Sequence, residues 1–170
     1  MTYETLERRL LLTGMNLLDA TGTLPEGIGT GTPVVVGDKA IFFGFDGDAT
    51  QTGFGPIYLP SPYANIYDAA TQTWSSQLLS AARFSPLAFA IDKQAVIASG
   101  AAGANAVDPS IAVDIYNNAT GQWSSTNLSS PRSAYAVVGD TAVTGGRARG
   151  RTPSGTRPPV AALQGNNILD

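Results

Sequence analysis

Any chemistry in this chain has to come from carboxylates, hydroxyls and arginines, because its 170 residues include no histidine and no cysteine. That removes the usual general base near neutral pH, thiolate nucleophiles, disulfides and the commonest metal ligands. A serine triad lacks its histidine, and a hydrolase built on His or Cys metal ligands lacks those ligands. A carboxylate pair for glycosidic cleavage stays open by composition, with Asp46, Asp48, Asp108 and Asp114 as the available groups. Asp46, Asp48 and Thr50 place oxygen side chains at alternate positions, as a calcium loop does. The full loop needs a glutamate at its twelfth position, where this chain has Ile57. Asp46 and Asp48 are therefore calcium candidates of low specificity, with turn capping as the simpler role. Gly27 to Gly31 is not followed by lysine in the frame of a phosphate-cradling loop. No cofactor is expected.

Binding is easier to place than catalysis. The stretch from Asp46 to Tyr63 sets Phe54, Tyr58 and Tyr63 among glycine and polar residues. Aromatic loop residues supply large contact area at little entropic cost. A second stretch, from about Ala101 to Ser110, contains Asp108. Phe54, Tyr58, Tyr63 and Asp108 are the candidate binding residues. The competing role for Phe54 and Tyr58 is to fold back over a strand edge.

Charged residues make up only 14% of the chain, and there are 19 glycines. That balance favours an all-β protein with many turns over a helical bundle. A net charge of -3 offers no electrostatic reason to expect nucleic acid or an acidic membrane as partner. Arg147, Arg149, Arg151 and Arg157 form a local basic run among Gly, Pro, Ser and Thr, without interleaved aromatics. No stretch is apolar and long enough to span a bilayer as a helix.

The elements that would position these residues fall into four sections. Residues 1–20 read as a short helix with an incomplete stripe of Leu6, Leu10, Leu11, Leu17 and Leu18. Residues 21–32, rich in Gly and Thr, read as a linker. Residues 33–146 are short β-type runs separated by turn residues. Residues 147–170 read as a flexible basic, then polar, tail with little to build a strand.

The third section repeats itself. Tyr67 to Tyr116, Trp74 to Trp123 and Arg83 to Arg132 each span 49 residues. A second set of segments interleaves with these. Val35–Gly44, Ala90–Gly100 and Val137–Gly146 each read as strand, tight turn, then a strand ending in glycine. Gly37-Asp38 and Gly139-Asp140 suit hairpin turns, because glycine tolerates positive φ.

A period near 50 with this order resembles the kelch-repeat β-propeller family. The landmarks are Gly44, Tyr67 and Trp74 in 33–79. In 80–129 they are Arg83, Gly100, Tyr116 and Trp123, and in 130–146 Arg132, Gly145 and Gly146. The resemblance covers about two-thirds of the chain and implies four-stranded blades. It implies two full blades plus part of a third, an incomplete ring. It also implies that the tyrosines and tryptophans pack between blades, and that Arg83 and Arg132 support neighbouring loops through hydrogen bonds to backbone. The opening Leu6-Glu7-Arg8-Arg9-Leu10-Leu11-Leu12 resembles a short segment of exported planctomycete-type proteins. That implies an extracellular or cell-envelope location, with a cytoplasmic one as the alternative; the plainer reading of the segment is a short amphipathic N-terminal helix.

The expected function is a non-catalytic binding module that presents variable loops to a protein or carbohydrate ligand. The alternatives are a fragment of a secreted carbohydrate-active propeller enzyme and a degenerate remnant. An open stack of blades exposes an apolar face at each end, so self-association to complete a ring is a further expectation.

Overall fold

A computed structural model of the chain describes residues 33–44, 50–52, 55–57, 59–102, 108–145, 161–164 and 167–169. The described residues begin with β1 (Val34–Val36) and β2 (Lys39–Phe42), followed by a small ladder of β3 (Thr50–Thr52) with β4 (Gly55–Ile57). β5 (Tyr63–Asp68) and β6 (Thr73–Leu78) complete a first antiparallel sheet in the order β1-β2-β5-β6. β7 (Leu87–Ile91) and β8 (Gln94–Ala98) then precede a second small ladder, β9 (Ala101–Ala102) with β10 (Asp108–Pro109). β11 (Ala112–Asn117) and β12 (Gln122–Asn127) close the second sheet, β7-β8-β11-β12. A third sheet joins β13 (Ala134–Val138), β14 (Thr141–Gly145), β15 (Ala161–Gln164) and β16 (Asn167–Leu169) in that order. The fold is all-β, with each four-stranded sheet laid down in chain order.

Strand periodicity explains how the sheets stack. Alternate residues of a strand face opposite sides. In the first sheet Val34, Val36, Ile41, Ala64 and Ile66 share one face and are buried. They form a core with Ala88, Ala95, Ile97 and Tyr116 from one face of the second sheet. The other face of the second sheet, with Phe89, Ile91, Val96, Ala98 and Val113, forms a second core that reaches Ala142 of the third. The Phe89 ring stacks on Tyr135 at 4.6 Å between centroids. The second sheet is thus apolar on both faces, as a sheet enclosed on both sides must be. β1 packs against β7 and β8, and β7 against β13, so the first strands of successive sheets are neighbours.

The repeat is structural as well as sequential. Tyr67 faces Trp74 across the β5–β6 ladder, and Tyr116 faces Trp123 across β11–β12. Both ring pairs lie at 5.2 Å and 53°. Asp68 Oδ1 accepts from Ala70 N at 2.9 Å, and Asn117 Oδ1 accepts from Ala119 N at 2.9 Å. These are Asx turns that cap the connection between the third and fourth strands. The first hairpin turn shows why glycine is needed there. Gly37 has φ of 60°, a left-handed conformation that strains any residue with a Cβ, and such a Cβ would also meet Nδ2 of Asn118 in the adjoining sheet.

Three expectations need correction. The third repeat does not stop half way, and the 147–170 segment is not bare of strands: β15 and β16 complete a four-stranded third sheet. The physical reason lies in β14, whose second edge has backbone groups to satisfy. The short apolar run Ala161-Ala162-Leu163 pairs there without any Tyr or Trp landmark. The glycine landmarks also do not coincide in register. Ala98 lies opposite Leu87 and Gly145 opposite Ala134, so Gly145 takes the place of Ala98 rather than Ser99. The N-terminal helix, the linker at 21–32 and Gly146 lie outside the described residues.

Candidate functional site

The small ladders mark one end of the first two sheets. β3–β4 sits in the connection from β2 to β5, and β9–β10 in the connection from β8 to β11. β2 and β8 hold the same position in equivalent sheets, so both ladders leave from the same end. The two connections are anchored alike. Ser61 N donates to Gly44 O, and Ser110 N to Gly100 O, at 2.9 Å each. The Ser61 hydroxyl accepts from Tyr63 N, and the Ser110 hydroxyl from Ala112 N, at 3.2 Å each. Ser61 and Ser110 are buried and 49 residues apart, so the same offset that marks the aromatics could have flagged them.

These anchors place two of the four candidate binding residues. Tyr63 opens β5 and Asp108 opens β10; both are exposed at the ladder end. Leu59 is exposed close by in sequence, and Leu78, opposite Tyr63 in the ladder, is also exposed. Phe54 and Tyr58 lie outside the described residues, as do Asp46 and Asp48. Among the described residues no group of three His, Cys, Asp or Glu side chains could hold a metal ion.

Asp114 is not part of this surface. It lies on β11, buried, where its Oδ2 pairs with Arg83 Nη2 and its Oδ1 accepts from Ser80 N at 2.9 Å. Arg83 Nη2 also donates to Ile97 O at 3.3 Å. Burial pulls the Arg83 pKa down, opposed by the neighbouring Asp114 carboxylate. A carboxylate committed to a sealed guanidinium is poorly placed to attack or protonate a sugar, which leaves Asp108 as the described candidate for such chemistry. Arg132, also buried, enters the third sheet with its backbone N donating to Ser99 Oγ at 2.9 Å. Ser99 has φ of 57° and is fully buried. Its hydroxyl thus ties the end of β8 to the start of the next sheet, a role that a glycine there could not perform.

A second polar group lies at the opposite, hairpin-turn end. Lys39 Nζ reaches Asp68 Oδ2 at 3.0 Å and Asp38 Oδ1 at 3.2 Å. The bond to Asp68 raises the Lys39 pKa and lowers that of Asp68. Nearby, burial raises the Tyr116 pKa above its ordinary value, with Lys39 opposing the shift. The sequence reading did not single out this group, since nothing in a Gly-Asp-Lys turn shows that Asp68 will stand across the ladder from Lys39.

No protein-family model matches the chain, and no curated protein matches it.

Proposed function

We propose that the three sheets are kelch-type blades of a propeller-like recognition module acting at the cell surface or outside the cell. In this reading the ladder end binds a protein or carbohydrate ligand. The observation that carries the reading is the shared exit of the β3–β4 and β9–β10 ladders beside exposed Tyr63 and Asp108. An exposed amphipathic ring and an exposed carboxylate at one end of the sheets suit either ligand class: the ring supplies stacking or apolar contact, and the carboxylate accepts hydroxyl or amide hydrogens. The repeated aromatic pairs support the blade reading, because they do the same packing in two sheets and leave the connections free to vary.

The test is a binding screen of the purified chain against a glycan array and a displayed peptide library. Hits are then remeasured with Tyr63→Ala and Asp108→Ala. The reading expects each substitution to weaken a genuine hit about tenfold or more. Hits indifferent to both changes would place recognition elsewhere and overturn the assignment of this end.

A further inference from the structure

The two outer faces of the stack are unlike each other, and each matches a face that is already packed inside it. Within the chain the same kind of contact occurs twice. The face of the first sheet bearing Val36 and Ile41 packs on the face of the second bearing Tyr116. The opposite face of the second, bearing Ile91 and Val96, then packs toward Ala142 of the third. Two faces of these same kinds are left open among the described residues. The first sheet keeps the Tyr67–Trp74 pair, identical in geometry to Tyr116–Trp123, on its uncovered side. Tyr116 is 2% exposed, whereas Val35 and Leu78, on the uncovered side with Tyr67, are 62% and 64% exposed. The third sheet exposes Val138 at 73%, and Val143 as well. By register these two occupy the places of Ile91 and Val96.

We infer that the open face of the third sheet takes the open face of the first sheet of a second copy of this chain, in the arrangement that joins consecutive sheets within one copy. Continuity with the internal contacts argues for this occupant, because each open face already has the apolar side chains its counterpart packs against. Uncovered apolar faces of this kind are unusual in a monomer. Contacts between unlike faces form rings when the rotation closes. Propellers close with about four to eight blades. The three four-stranded sheets among the described residues, taken twice, fall within that range. The closed two-copy ring rests on the blade reading above; the face-to-face contact does not.

The native chain lacks cysteine, which makes the contact easy to trap. Val35→Cys and Val138→Cys chains are prepared separately, mixed in equal amounts and mildly oxidised. The mixture is expected to form a covalent dimer about tenfold faster than either variant alone, because unlike faces meet. Sedimentation equilibrium of the native chain should show a single two-copy species. Val138→Asp should raise its dissociation constant at least about tenfold. The substituted side chain is exposed in the single copy, so at concentrations where the native chain is also dissociated the two thermal melts should coincide. Val138 adjoins a hairpin turn, not the ladder end, whereas Tyr63 shares by register the face of the first sheet that this contact covers; a ligand held through Asp108 should therefore keep its affinity in Val138→Asp, and loss of that ligand alone would count against the proposed function, not this contact. A one-copy species, or like-with-like crosslinking as fast as the mixture, would overturn the contact; an open-ended series of oligomers would uphold the contact and overturn the closed two-copy ring.

Discussion

Arg83 and Asp114 stand 31 residues apart in sequence and meet as an ion pair buried on the face of the second sheet that packs against the first. Asp114 also accepts from Ser80 N, so one carboxylate secures both the segment entering the second sheet and the arginine beside it. In the first sheet the place of Asp114 is held by Asn65, which accepts from the Ser76 hydroxyl. The charged pair is therefore a local solution rather than a requirement of the repeat.

Removing one partner should be costly. Asp114→Ala leaves the Arg83 guanidinium buried without its counter-charge, a change that typically costs about 3–5 kcal/mol. The double variant Arg83→Met with Asp114→Leu should recover much of that loss, because no charge is then stranded. Urea unfolding of the three proteins measures both effects. An Asp114→Ala loss below about 1 kcal/mol would show that the pair is dispensable.

Ser99 makes a finer test. Ser99→Ala keeps the side chain in the left-handed region but strands the buried Arg132 N–H, a loss of about 1–3 kcal/mol. Ser99→Gly strands the same donor but relieves the backbone conformation, so it should cost less than alanine. The order of the two melting temperatures decides the point. Equal losses would mean that the backbone there is not strained.

The turns between third and fourth strands allow a reciprocal swap. Gln72 has φ of 58°, and Gly121 in the equivalent turn has φ of 68°. A left-handed conformation costs a non-glycine residue about 1–2 kcal/mol. Gln72→Gly should therefore stabilise the chain, by roughly 0.5–1 kcal/mol after glycine's extra unfolded-state entropy is set against the relief. Gly121→Gln should destabilise it. Guanidinium titrations of both variants read the sign directly, and a destabilising Gln72→Gly would contradict the strain argument.

Alkaline sensitivity follows from two groups at the hairpin-turn end. The folded state raises the Lys39 pKa, chiefly through its bond to Asp68, and the Tyr116 pKa through burial. Each raised value means that the folded chain holds its proton more tightly than the unfolded one. The resulting stability is present at lower pH and is lost as pH rises from about 10 upward through the folded values. The Asp68 pKa is lowered, so its share is lost instead as pH falls below the ordinary carboxylate range. Unfolding free energies measured from pH 8 to 11.5 should decline at the upper end, less steeply in Tyr116→Phe. An identical decline in that variant would remove Tyr116 from the account.

The repeat was legible because Tyr67 and Trp74 are large, rare residues that recur with fixed spacing. Their positions in the ladders follow directly from that spacing. The Asx turns were legible for a similar reason: Asp68 and Asn117 sit where a short connection needs a side-chain acceptor. β15 and β16 were not legible, since a short apolar run becomes a strand only when a free edge such as that of β14 is there to pair with it. The candidate surface was half legible. Tyr63 and Asp108 could be picked out by residue type, but their exposure depends on the Ser61 and Ser110 anchors that set where each connection rejoins its sheet.

By itself, the order of the residues determined the all-β class, the 49-residue repeat, and the absence of histidine and cysteine chemistry, because composition and local period act within a strand and its turn. Only the tertiary structure decided that Asp114 is sealed against Arg83, that Lys39 finds Asp68, and that Tyr116 is covered while Val35 and Val138 are not. Those outcomes depend on which sheet face meets which, and such contacts join residues that no local pattern brings together.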